Sequence, residues 1–383
     1  MSDFIPVNVP LLNGNERKYL NECIDSGWIS SEGPFVKKFE DEFAKLVNKK
    51  YAISVTSGSS ALEAAISALD LKEGDEVILP TFTIISCVTP LIRLGIVPVF
   101  IDSNVDTWNM DVSQIEDKIT SKTKAIMAVH IFGLPVDMDP LIKLSKEYGL
   151  LIIEDAAEAI GLEYKGRPCG SFGDISTFSF YPNKLITSGE GGMIVTDNEE
   201  LAERCRSLRN LCFQPAKRFV HDEMGWNFRM TNLQAAVGLA QLEQLSESVI
   251  KKRWIGKKYQ ENLKEVEDLI QLPLQRTEYS ENIYWVFALV LNDKTSFSGA
   301  SEMMNELKTC GVGSRPFFWS LNEQPVLKDL KDISRNRCPV SENISRNGFY
   351  IPSGLAITAD EIDRVSESVI DILQKYAIQE SYI

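Results

Sequence analysis

Apolar positions along this chain follow two rhythms. Between about residues 50 and 200, short apolar or alternating runs recur: YAISVTS (51–57), EVILP (76–80), VPVFID (97–102), AIMAVHIFG (125–133), LLIIEDA (150–156), ISTFSF (175–180) and GMIVTD (192–197). Runs of this length, rich in β-branched residues, predict strands. Between the early ones lie SALEAAISALDL (60–71), SCVTPLIRLG (86–95) and MDPLIKLSKEYG (138–149), whose apolar residues recur at helical spacing. Strand and helix in alternation predict a mostly parallel sheet with helices on both faces. Near-continuous apolar runs such as LLII and AIMAV suit strands buried on both sides.

From about 231 to 265 the pattern is helical throughout, and one long helix can link two lobes. The remainder mixes a strand (YWVFALVL, 284–291), a helix (SEMMNELKTCG, 301–311) and a helical tail (359–377). The expected organisation is a large α/β domain over 1–250, including the N-terminal segment, and a smaller α/β domain over 251–383. No internal repeat or low-complexity segment interrupts it.

Composition changes this picture little. Hydrophobic residues make up 44% of 383 and charged ones 25%, as in a globular protein with a sizeable core. A net charge of −14 and a pI near 4.9 argue against a nucleic-acid partner. The start, MSDFIPVNVPLLNGNE, lacks the basic and apolar regions of a signal peptide, and no run reaches the length of a membrane span. Seven scattered cysteines without a C-x-x-C pair read as reduced thiols, so a cytoplasmic protein without disulfides or zinc is expected. Two histidines are too few for a multi-histidine metal centre.

Three places carry candidate chemistry. In SVTSGSSALEAAISAL (54–69) a strand runs through Ser57-Gly58-Ser59-Ser60 directly into a helix. Free amides at a helix N-terminus, serine hydroxyls and a glycine that permits close approach make an anion site; an ordinary N-cap serine is the other reading. The stretch is neither a P-loop nor a Rossmann fingerprint. In LLIIEDAAEAIG (150–161) a strand ends at Glu154-Asp155. A carboxylate at a strand's carboxyl end faces the ligand crevice of an α/β sheet; an N-cap and a magnesium ligand remain open. In TFSFYPNKLITSGEGGMIVTD (177–197), Lys184 stands between two strands on a glycine-rich loop. It is either solvated charge or a buried amine whose pKa burial lowers. A phosphate cradle, an acid and an amine are together what pyridoxal phosphate requires.

The motifs SGSSALEAA, EDAAEA, FSFYPNKLITSGEGG and GWNFRMTN resemble those of the DegT/DnrJ/EryC1/StrS nucleotide-sugar aminotransferases, and the likeness runs over most of the chain. It implies the aspartate-aminotransferase-like arrangement of the fold type I pyridoxal-phosphate enzymes. Residue by residue, Lys184 would form the Schiff base and Asp155 would pair with the pyridine nitrogen. Glu158 would lie near the ring or its 3-hydroxyl. Ser59, Ser60 and Ser179 would hold the phosphate, with Gly58 giving the turn. Ile84 stands where many relatives carry an aromatic over the ring, and a core role suits it equally. Asn227 would reach the neighbouring subunit's phosphate, with Arg229 close by, which implies a homodimer with shared sites. Trp28, Ser30, Arg315 and Phe317 resemble substrate-facing positions, or they are loop residues. His130 reads as a satisfied core histidine more readily than as a substrate group.

The implied reaction is transamination with L-glutamate as donor. Within the family, GWISSEGPFVKKFE, FIDSNVDTWNMD and HIFGLPVDMDPL are most similar to members that turn GDP-4-keto-6-deoxymannose into GDP-perosamine. UDP- and dTDP-linked keto sugars are alternatives, and a non-catalytic cofactor-binding regulator is an alternative of another class. Some relatives carry histidine in place of the lysine and are dehydratases; Lys184 favours transamination.

Overall fold

The computed structural model describes residues 4–214, 216–328 and 337–378. A seven-stranded sheet is built from β1 (Tyr51–Val55), β2 (Glu76–Pro80), β3 (Val97–Ile101), β4 (Thr123–Val129), β5 (Leu151–Asp155), β8 (Ile175–Ser179) and β9 (Gly192–Thr196). Its order is β1-β9-β8-β5-β4-β2-β3. Only β9 runs against its neighbours, because the lysine loop joins it to β8 as a hairpin-like return. Two short strands, β6 (Glu163–Tyr164) and β7 (Arg167–Pro168), form a hairpin outside the sheet. Alternation within the strands explains their continuous apolar character. Ala125, Met127 and Val129 of β4 enter one core, while Ile126 and Ala128 enter the core on the opposite face with Met138, Leu141 and Leu144. Both faces are dry, as expected of parallel strands.

The helices mark themselves at their ends. α1 (Glu16–Ser26) stops at Gly27, whose φ of +74° is the left-handed conformation glycine adopts cheaply. α2 (Pro34–Leu46) starts with proline in its first turn. α3 (Gly58–Ala68) is capped by Ser57, whose hydroxyl accepts the Ser60 N–H. The helix expected over 86–95 is shorter: a 3-10 turn at Ile85–Cys87 precedes α4 (Thr89–Arg93), because Pro90 suits only a first turn. α5 (Met138–Tyr148) and α6 (Glu199–Arg209) cover the sheet.

The long helical stretch divides in two. α7 (Asn232–Leu242) opens with a capping box between Thr231 and Gln234, and α8 (Leu245–Asn262) follows after a break at Glu243-Gln244. α8 spans two cores: Leu245 packs in the large one, while Ile255 and Tyr259 pack in a second. That second core lies under a four-stranded sheet of order β10-β11-β13-β12, from Ile270–Gln271, Phe287–Leu291, Gly348–Ile351 and Arg315–Pro316. α9 (Ala300–Thr309), α10 (Pro339–Asn347) and α11 (Ala359–Lys375) accompany it. Ile5 of the N-terminal segment enters this same core and bridges to Val312. All seven cysteines are free. Among the described residues, no helix is long and apolar enough to cross a membrane.

Candidate active site

The carboxyl ends of β1, β2, β4, β5 and β8 converge on a cavity of about 320 Å³. Each contributes residues at or just past its carboxyl end. Ser57, Gly58 and Ser59 follow β1, Thr83, Ile84 and Ser86 follow β2, and Val129 and His130 stand at the end of β4. Asp155 closes β5, and Ser179 closes β8. Lys184 enters from the lysine loop, and Trp285, Phe318 and Tyr350 come from the smaller sheet and its loops.

The lysine loop is fixed at several points. The Lys184 N–H donates to Tyr181 O at 2.9 Å, the Trp285 indole donates to Asn183 O at 2.8 Å, and the Asn8 amide donates to Pro182 O at 2.9 Å. Lys184 Nζ lies 3.7 Å from Glu158 Oε1 and 3.9 Å from the centre of the Trp285 ring. Burial lowers its pKa, while Glu158 and Asp155 pull it back up. The amine is therefore a buried group with a poised charge.

Two carboxylates face it. Burial raises the pKa of Asp155, against the pull of the Ala157 N–H on Oδ1 at 3.0 Å. Burial also pushes Glu158 up to about 7, opposed by Lys184 and by the Phe132 N–H, which donates to Oε2 at 3.0 Å. Phe132 reaches that position with φ +55°, a left-handed conformation that costs about 1–2 kcal/mol in a residue with a Cβ. Glu158 is not on a helix. It follows Asp155 through a turn closed by Ala159 N–H to Ala156 O at 3.0 Å, which brings both acids to one wall.

At the other end stands the anion cradle. The Gly58 and Ser59 amides in the first turn of α3 have no intrahelical acceptors and carry the positive end of the helix dipole, while the Ser60 N–H is spent on the Ser57 hydroxyl. A Cβ on Gly58 would meet Ser179 Cβ at 2.9 Å, so strand and helix approach as closely as glycine allows. Ser57 and Ser59 line the cavity, but Ser60 does not: its hydroxyl turns inward to Thr56 and Ser57, each at 2.9 Å. In the wall, Asn183 Oδ1 is buried without a partner. An amine, an acid across the cavity, and an anion cradle with unspent donors fit a phosphorylated pyridine aldehyde.

Other expected residues lie elsewhere. Ile84 lines the cavity and is 45% exposed, so it is available as an apolar wall. Phe317 is buried among Phe82, Trp108 and Phe132, and its neighbour Phe318 takes the cavity position. Arg315 lines an adjoining cavity of about 260 Å³ with Asn8, Asn183 and Tyr350. Ser30 and Arg229 meet in a separate cleft with Arg206, Arg209 and Arg218. Asn227 bridges to Asn210, Arg229 donates to Asn210 Oδ1, and the backbone of Trp28 accepts from Asn232 while its side chain is half exposed. None of these four residues touches this chain's cavity. His130 lies at the cavity edge, its Nδ1 accepting the Val136 N–H at 3.1 Å and its Nε2 donating to Glu154 at 2.9 Å. Glu154 also accepts from the amides of Gly170, Phe172 and Gly173. His130, Glu154 and Cys169 cluster closely enough for an ion, but the histidine and carboxylate lone pairs are spent within the protein.

Sequence reasoning missed Tyr181, Asn183, Trp285, Phe318 and Tyr350. The first two adjoin Lys184 and were within reach; the others come from the distant smaller sheet, and no spacing announces them.

Comparison with known proteins fits this geometry. Residues 10–370 match the DegT/DnrJ/EryC1/StrS aminotransferase family. The GDP-perosamine synthases of Escherichia coli O157:H7 and Vibrio cholerae are each 40% identical to this chain, over 96% and 95% of it and 98% of each relative. An aminotransferase structure from Psychrobacter cryohalolentis superposes with a TM-score of 0.89 at 27% identity, covering 97% of this chain and 99% of that one.

Proposed function

The chain belongs to the DegT/DnrJ/EryC1/StrS aminotransferase family; from that premise we propose that this pyridoxal-phosphate-dependent sugar aminotransferase converts GDP-4-keto-6-deoxymannose to GDP-perosamine with L-glutamate as amino donor. The observation that carries the reaction class is the buried amine of Lys184, 3.7 Å from Glu158, in one cavity with Asp155 and the α3 cradle. The sugar and its nucleotide rest on the 40% identity to two GDP-perosamine synthases over nearly the whole chain.

The cofactor, when bound, supplies an electron sink for the carbon that gains or loses a proton. The chain's residues do the rest. The Gly58 and Ser59 amides of the first turn of α3, with Ser57, Ser59 and Ser179, would hold the phosphate at the positive end of the helix dipole. Asp155 would accept the ring N–H. Lys184 is the amine for the aldehyde, and its lowered pKa suits a group that takes and returns a proton at Nζ. Glu158, pushed up to about 7 by burial, carries its negative charge beside that amine in only part of the protein near neutrality, and so can exchange a proton with it. Trp285, Phe318 and Tyr350 form an apolar wall that excludes water from it.

The cleft holding Ser30 and Arg229, with Asn227 and Trp28 nearby, lies apart from this chain's own cavity, which supports a role in a partner's site within a homodimer. In this reading residues 1–250 hold the cofactor and residues 251–383 close over the substrate, in a cytoplasmic enzyme. Arg315, in the adjoining cavity, suits an anionic part of a substrate.

The test is product analysis by mass and NMR with GDP-, UDP- and dTDP-linked keto sugars and glutamate. Conversion of GDP-4-keto-6-deoxymannose to a 4-amino sugar is expected. Turnover of a UDP or dTDP sugar alone overturns the substrate and leaves the aminotransferase. No turnover of any sugar, with cofactor bound, favours the regulator.

A further inference from the structure

Asp155 has a side-chain partner that the reaction has not used. Its Oδ2 accepts the thiol of Cys87 at 3.3 Å, while Oδ1 accepts the Ala157 N–H. Cys87 Sγ lies in turn 3.3 Å from Thr83 Oγ1, and Thr83 lines the cavity. Cys87 belongs to the 3-10 turn after β2, held there by its own N–H to Ile84 O at 3.1 Å. Cys87 is wholly buried, and Asp155 is 3% exposed. No other side chain among the described residues donates a hydrogen bond to Asp155.

The thiol cannot serve here as a nucleophile. Burial raises its pKa well above the ordinary range, and the charges of Asp155 and Glu158 add to that. It therefore stays S–H and acts as a weak donor. Asp155 is faced by Cys87 from the loop after β2, His130 from the end of β4, Glu158 from the turn after β5, and Lys184 from the lysine loop. Burial drives the carboxyl towards its neutral form; the Ala157 amide and the Cys87 thiol oppose that.

We propose that Cys87 is a positioning residue for Asp155: its S–H, backed by the Thr83 hydroxyl, holds Oδ2 as an acceptor, so that the proton shared between Asp155 and the cofactor's ring nitrogen rests on the nitrogen. This rests on the reading that a pyridine cofactor occupies the cavity. A protonated ring is the stronger electron sink, so a residue that does not line the cavity would set how strongly the bound ring withdraws charge. Serine at this position is a stronger donor, alanine none; the thiol lies between them.

Two measurements test it, on wild type, Cys87→Ala and Cys87→Ser. The first is the titration of the Asp155 carboxyl carbon by NMR in the cofactor-free protein, assigned with Asp155→Asn. Cys87→Ala should raise the Asp155 pKa by about one unit, and Cys87→Ser should lower it, by the scale of a hydrogen bond to a carboxylate. The second is the NMR shift of the ring nitrogen in protein loaded with nitrogen-15-labelled cofactor. It should move towards the unprotonated value in Cys87→Ala and stay protonated in Cys87→Ser. Equal Asp155 titrations in all three proteins overturn the proposal. So do shifts of the same sign in both variants, which mark lost packing. If Cys87→Ala does not fold, the sign of the Cys87→Ser shift still decides. Absence of cofactor binding refutes the reading of the cavity, while the carboxyl titration still decides the role of Cys87.

Discussion

Glu158→Gln isolates the charge that Lys184 faces. The substitution keeps the shape and keeps an acceptor for the Phe132 N–H, so the left-handed turn at Phe132 survives. It removes an anion 3.7 Å from Nζ. At an effective dielectric of about 20 that contact is worth about 4 kcal/mol, on the order of three pKa units. Burial pushes Glu158 up to about 7, so close to neutrality only part of the protein carries the charge. A fall of at least about one unit in the Lys184 pKa is the expected outcome. The sign follows from what the carboxylate does: it favours the ammonium, so its loss leaves the amine neutral at lower pH. Capture of the cofactor requires the neutral amine, so its pH midpoint should move towards acid. Stopped-flow absorbance of cofactor capture across about pH 6 to 9 measures that midpoint. An unchanged midpoint, or one moved towards alkali, refutes the claim that Glu158 controls the charge on Lys184.

Lys184→Ala should leave the cofactor removable by dialysis after borohydride, whereas in wild type the reagent should fix it to Lys184; mass spectrometry of peptides reads both. Gly58→Ala places a methyl 2.9 Å from Ser179 Cβ, beside the cradle, and should cost about 1–3 kcal/mol in stability and at least tenfold in cofactor affinity, measured by melting and by fluorescence titration. Lys252 is 3% exposed, donates to Ser353 O at 2.6 Å, and is lowered by burial from 10.5 to about 7. Its folded pKa lies below the unfolded value, so folding stability is lost as pH falls from 10.5 to about 7 and changes no further below that. Relative to wild type, Lys252→Met should therefore gain about 1.4 kcal/mol per pH unit over that window in urea unfolding, and a difference independent of pH would sink the idea.

The sequence by itself determined the elements that follow from local pattern. The strands appear where apolar runs stand, because a parallel sheet dry on both faces tolerates little else, as Ala125 to Val129 show by alternating between two cores. Lys184, Asp155 and the Ser57–Gly58 turn were legible for a related reason. Each sits at the carboxyl end of a strand or on the loop after one, where a charged or glycine-rich break in an apolar run stands out. What depended on contacts between distant segments was not legible. Trp285, Phe318 and Tyr350 look like ordinary core aromatics until the smaller sheet and its loops bring them into the cavity of Lys184, with the Trp285 ring over the amine. Ser60 and Ser59 look alike in SGSS, yet the pitch of α3 turns one hydroxyl inward to Thr56 and leaves the other beside the cavity. Phe317 and Phe318 are separated by the same logic, since adjacent residues point to different sides of the chain. The thiol of Cys87 and the acid of Asp155 stand far apart in the sequence, and only the β2-β4-β5 order of the sheet brings them within 3.3 Å. Periodicity specifies which face a residue takes within its own element; which other element that face meets is set by strand order and the packing of the two cores, and neither is written in any local run.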